Sequence, residues 1–140
     1  MNKERLLKLA EFLDGLDDSK FNFAHVVETY NPLNCCGTVC CAMGWTPVVF
    51  PDIVKWCGGD DVYNHNNICL IKGSGSPSYV DVATHLFDIP REDASGLFTP
   101  TLQYEIICRY ERDLPIVGHD ATPDEVADLI RKYVELITNL

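Results

Sequence analysis

Apolar and polar residues alternate with helical spacing near both ends of the chain and with a shorter, more broken rhythm between them. Across Lys3 to Asp14, Leu6, Leu9, Ala10 and Leu13 recur every three or four residues, as on one buried helix face. Asn2 stands where its side chain can cap that helix, and Gly15 suits a left-handed residue just past its end, with Leu16 folding back onto the last turn. At the other end, Thr122 and Glu125 form a capping box around Pro123. Val126, Leu129, Ile130, Tyr133, Val134 and Ile137 follow as one stripe. A third helix starts at Ser78, with Asp81 completing its capping box and Val82, Ala83, Leu86 and Phe87 facing inward, and Ile89-Pro90 stops it. REDASGLF, residues 91 to 98, reads as a short helix or turn. Residues 101 to 112 fit both periods: Leu102, Tyr104, Ile106, Cys108 and Tyr110 alternate as in a strand, yet Thr99-Pro100 opens a helix equally well. Helix is the expectation adopted.

The middle of the chain is punctuated by turns. Phe21, Phe23, Val26 and Val27 form a short apolar segment that Asn31-Pro32 closes. Cys36 to Gly44 reads as a short helix, and Pro51 opens a further turn or two over DIVKWC. After a Gly58 to Asp61 loop, Val62-Tyr63 and Ile68 to Ile71 read as the arms of a β-hairpin, with Asn64, His65, Asn66 and Asn67 as its turn. These elements predict a mainly α, compact single-domain helical fold with a small β-hairpin, spanning residues 1 to 140.

Composition narrows the function classes. Of 140 residues, 46% are hydrophobic and 23% charged, which is ordinary for a globular domain and argues against disorder. With 21 acidic against 11 basic residues the net charge is −10, which disfavours direct nucleic-acid binding and anionic membranes, since both need a basic face. The charged N-terminus lacks the continuous apolar stretch of a secretory signal, and Gly44 and Pro47 break the most apolar run, so no membrane span is expected. Seven cysteines cannot all pair within one chain, which together with the missing signal points to free thiols and a reducing, cytoplasmic setting.

NCCGTVCCAMGW, residues 34 to 45, concentrates four of those cysteines. Cys36 and Cys40 would share a helix face and supply half a thiolate metal site, with Cys57, Cys69, His65 or His25 completing it. The paired spacing of a structural zinc site occurs only once, so no metal is expected. Cys36 at a helix entrance is the candidate nucleophile, because the unpaired N–H groups there favour a thiolate, and His25, His65, His85 and His119 are the available bases. Its surroundings echo the Cys-Gly-Ser-Cys-Trp stretch of papain-like proteases only faintly: the upstream Gln is missing and the Trp lies too far along. Close packing is favoured instead, with Gly37, Cys40, Cys41 and Gly44 lining one small-residue helix face and Trp45 as an anchor. KGSGSPS, residues 72 to 78, leads into a helix, so Lys72, Ser74, Ser76 and Ser78 are a weak anion- or phosphate-binding candidate, although the Gly-Lys-Ser/Thr of a P-loop is missing.

CGTVCCAMGW, VATHLFDIPREDASGLFTP and TPDEVADLIRKYVELI, in that order, resemble a group of small uncharacterised proteins from bacteria and their phages. The likeness covers most of the chain and centres on Cys36, Gly37, Thr38, Cys41, Gly44 and Trp45; Cys35 and Cys40 fall outside the shared block, and Gln103 to Gly118 is longer than the group's pattern. It implies kinship and a bacterial or phage origin, with no activity to carry over. The expectation is therefore a non-enzymatic binding protein without a cofactor, such as a phage accessory factor that captures a host protein or a small ligand. A cysteine-dependent hydrolase or transferase using Cys36 and a histidine is the first alternative. A nucleotide- or phosphate-binding domain using residues 72 to 78 is the second.

Overall fold

A computed structural model describes residues 1–23, 27–29, 39–57, 67–72 and 78–140. The described fold is mainly α with a small antiparallel β component. In chain order the helices are α1 (Lys3–Asp14), α2 (Thr46–Val49), α3 (Tyr79–Phe87), α4 (Arg91–Phe98), α5 (Gln103–Tyr110) and α6 (Pro123–Thr138). The strands are β1 (Val27–Thr29), β2 (Val39–Cys40), β3 (Val54–Cys57) and β4 (Asn67–Leu70).

The caps form where local chemistry calls for them. Asn2 accepts from the Arg5 amide at 3.1 Å, and both Ser78–Asp81 and Thr122–Glu125 close reciprocal capping boxes. Leu6, Leu9, Ala10 and Leu13 are fully buried, and α1 packs most extensively on α6, whose Val126, Leu129, Ile130, Tyr133 and Val134 are buried in turn. The Arg131–Asp14 ion pair joins the same two helices at the surface. Gly15 caps α1 with φ −94°, outside the left-handed region expected for it, because its N–H bonds back to Phe12 and Leu13 carbonyls without such a turn. The left-handed residues among those described are Asp88, Thr101 and Glu111, two of which follow the ends of α3 and α5.

Residues 103 to 110 are helical, so the 3.6 period prevails there and buries Gln103 and Ile106. The helix begins three residues later than Thr99-Pro100, since Thr99 itself is extended and closes α4. Between α4 and α5 the backbones come close at Gly96. A Cβ added there would lie 2.6 Å from the Ile106 side chain and 3.3 Å from the Leu102 carbonyl oxygen, so even alanine would require Ile106 to shift.

Two segments expected to be helical are strands. Val39–Cys40 pairs antiparallel with Val27–Thr29, and the Cys40 carbonyl accepts from the Asn22 amide at 3.1 Å. The helical turns start only at Met43, after which Thr46–Val49 continues with Pro47 in its first turn. Val54–Cys57 pairs with Asn67–Leu70 in the register Val54↔Leu70 through Cys57↔Asn67. The second hairpin arm thus overlaps the apolar run but starts one residue earlier, taking in Asn67, expected in the turn, and ending before Ile71, and its partner is the segment read as helix after Pro51. Val62-Tyr63 lies outside the described residues.

Candidate functional site

Cys36, the candidate nucleophile, lies outside the described residues, as do His25, His65, Ser74 and Ser76. The small-residue helix face does not form: Cys40 is in a strand and Cys41 follows it, although both are buried as expected. Burial pushes the Cys40 thiol up to about 12, with the neighbouring Cys41 adding to the shift, and pushes Cys41 up to about 11. Neither can serve as a ready thiolate near neutral pH. Trp45 does act as an anchor: its ring packs 5.8 Å from Phe12, and its Nε1 donates to the Lys20 carbonyl at 3.0 Å. Among the described residues Cys40, Cys41 and Cys108 are free thiols, whereas Cys69 is disulfide-bonded, contrary to the expectation of free cysteines throughout. No group of three or more described His, Cys, Asp or Glu side chains is arranged to hold a metal ion.

The two described ends of the anion-binding candidate have different surroundings. Ser78 is committed to its helix: its hydroxyl and amide both donate to Asp81 Oδ2, at 3.1 and 3.2 Å. That carboxylate already occupies the N-terminus of α3 and repels a second anion there. Lys72, by contrast, is exposed and lines a cavity of about 200 Å³ with Asp52, Ile53, Leu70 and His85.

Asp52 and Ile53 also line a larger cavity of about 370 Å³, between α1 and the turn joining α2 to β3. Asn2, Glu4, Arg5 and Lys8 form its α1 wall, and Val49, Phe50 and Pro51 face them. The two cavities share Asp52 and Ile53 in their linings, and the pair is called the trough. Arg5 is held by a 3.0 Å bond from its guanidinium to the Leu86 carbonyl, near the end of α3, beside His85. The Lys8 ammonium lies 5.5 Å from the centroid of the Phe50 ring, a cation–π contact. Within the described residues, Arg91, Arg109, Arg131 and Lys132 make ion pairs, whereas Arg5, Lys8 and Lys72 do not, and neither do Lys3, Lys20, Lys55 and Arg112. Three of these unpaired cations, Arg5, Lys8 and Lys72, line the two cavities together with the exposed acids Glu4 and Asp52.

A second polar cluster is a clasp. Asp93 is buried in α4 and accepts from Tyr133 at 2.6 Å and Tyr110 at 2.5 Å, with Arg109 at 3.4 Å. Nearby, the buried Gln103 side chain donates to the Gly96 and Thr99 carbonyls at 2.9 and 3.0 Å and accepts from the Val117 amide at 3.0 Å. No buried side-chain nitrogen or oxygen among the described residues lacks a partner. Both clusters are satisfied internally and neither lines the trough, so they join α4, α5, α6 and the chain after α5.

No known protein family, curated protein or solved structure matches the chain. Arg5, Lys8 and Asp52 were not singled out by sequence reasoning. Their one sequence signal is the three-residue spacing of Arg5 and Lys8, on the flank of the buried α1 stripe.

Proposed function

We propose that the protein is a non-enzymatic binding protein that holds a small ligand in the trough between α1, the α2–β3 turn, β4 and α3. The observation carrying this reading is that Arg5, Lys8 and Lys72, cations without carboxylate partners among the described residues, line two adjoining cavities sharing Ile53 and Asp52. Ligand sites are typically concave, partly apolar and furnished with a few fixed polar groups. Ile53, Leu70 and Phe50 supply the apolar part, and the tethered Arg5 supplies a donor already oriented. The placement of Ser78 and Asp81 weighs against phosphate binding at the start of α3, and the raised thiols remove Cys40 and Cys41 as nucleophiles. A bacterial or phage origin and a role as an accessory factor rest on the resemblance of the cysteine block and remain part of the proposal, whereas the Cys69 disulfide weighs against the free-thiol argument for a cytoplasmic location.

Native mass spectrometry of the protein equilibrated with a bacterial metabolite extract tests this. A bound small molecule is expected on the wild type and on Cys36→Ser, and absent from Ile53→Trp, whose indole fills the trough. Loss of that mass in folded Cys36→Ser, or its chemical conversion by the wild type alone, would favour the cysteine-dependent enzyme instead.

A further inference from the structure

The charges along the trough have an order. Arg5 and Lys8 line its larger cavity, Asp52 is shared by both cavities, and Lys72 lines the smaller one with His85. Cation, anion, cation is the complement of acid, ammonium, acid. We propose that the trough binds an amino-dicarboxylic acid, free or as the end of a short acidic peptide, an assignment that rests on the binding reading above.

Each part of such a ligand meets a group suited to it. One carboxylate faces Arg5, whose bond to the Leu86 carbonyl leaves its other N–H groups for a planar acid. Lys8 adds charge at the same end, anchored over Phe50. The second carboxylate reaches Lys72, with the His85 imidazole beside it. The ammonium pairs with Asp52, and the methylene chain lies along Ile53, the apolar residue common to both cavities. Glu4 also lines the Arg5 end, where it is exposed, so it weakens binding of an acid there without blocking it. Asp52 also disfavours ligands with acids alone, since nothing on them offsets its charge. The pattern therefore selects by repulsion as well as attraction.

Three probes of similar length separate the contributions: L-glutamate, glutarate without the ammonium, and norvaline without the second acid. Amide shifts of Ile53 and Leu70 are followed by NMR at low salt with each probe. L-Glutamate is expected to bind about tenfold more tightly than either of the others, the worth of one added charge contact. Asp52→Asn should erase the difference between glutamate and glutarate, and Lys72→Gln the difference between glutamate and norvaline. Both substitutions are at exposed positions, so folding is not at stake. Equal affinities for all three probes, no shifts with any of them, or variants that leave the ranking unchanged would overturn the assignment. If that happens while the Ile53→Trp-sensitive mass from the extract persists, the binding reading stands and the ligand class falls. Loss of both overturns both.

Discussion

Asp93 joins three helices through a single carboxylate: it sits on α4 and accepts from Tyr110 of α5 and Tyr133 of α6. A buried charge is tolerated only when its hydrogen bonds are complete, and here two phenols and a nearby guanidinium complete them. Tyr133→Phe removes one donor and is expected to cost about 1.5–3 kcal/mol, read as a lower urea midpoint at unchanged slope. The pH dependence has a definite sign. Desolvation, then the Asp93 contact, raise Tyr110 from 10.0 to about 12 and raise Tyr133 as well. A group whose folded value is raised contributes stability in full below its unfolded value and loses it as pH rises. Stability should therefore decline above about pH 10, the ordinary tyrosine range, with a shallower decline in Tyr133→Phe. Denaturant midpoints between pH 8 and 11 measure this. Tyr133 was legible in the sequence as a member of the α6 stripe. Its hydroxyl's partner was not, because Asp93 looks like any acidic residue in a first helical turn until α5 and α6 close over it.

Among the elements, those with local start signals were legible. α1, α3 and α6 begin where Asn2, Ser78 and Thr122 place them, since a cap acts within one turn and needs nothing from elsewhere. Thr122→Ala should accordingly cost about 1 kcal/mol in thermal or urea unfolding, although the residue lies at the edge of the core. No destabilisation would mean that α6 is held by packing alone. Among the elements without such signals, α4 was read as a short helix or turn, α5 as a helix and β4 as a strand, whereas β2 and β3 were misread. Val39–Cys40 and Val54–Cys57 belong to short apolar runs that suit a helix and a strand equally, and each becomes a strand by pairing with a distant segment. The close backbone approach expected from glycine in the cysteine block is found instead at Gly96, where α5 supplies Ile106.

At the scale of the whole molecule, Cys40 and Cys41 report on the core they belong to. Both are buried with raised thiols, whereas Cys108 is exposed on α5. Labelling of the native protein by a thiol reagent should modify Cys108 at once. Cys40 and Cys41 should react at least about a thousandfold more slowly, through openings that cost several kcal/mol. Mass mapping of labelled peptides over time distinguishes this from uniform labelling, which would contradict the packing of the β1–β2 region. The described helices are neither long nor apolar enough to cross a membrane. The trough exists only at this scale, drawing residues from α1, the α2–β3 turn, β4 and α3. The sequence alone determined the three capped helices, their buried stripes, the mainly α class and the net acidity, because periodicity, caps and charge are local or additive properties. Tertiary structure alone decided which strands pair, that Asp93 is a clasp, and that Arg5, Lys8 and Asp52 line one cavity while Asp52 and Lys72 line the next. Those facts depend on contacts between residues ten or more positions apart, which no local pattern encodes.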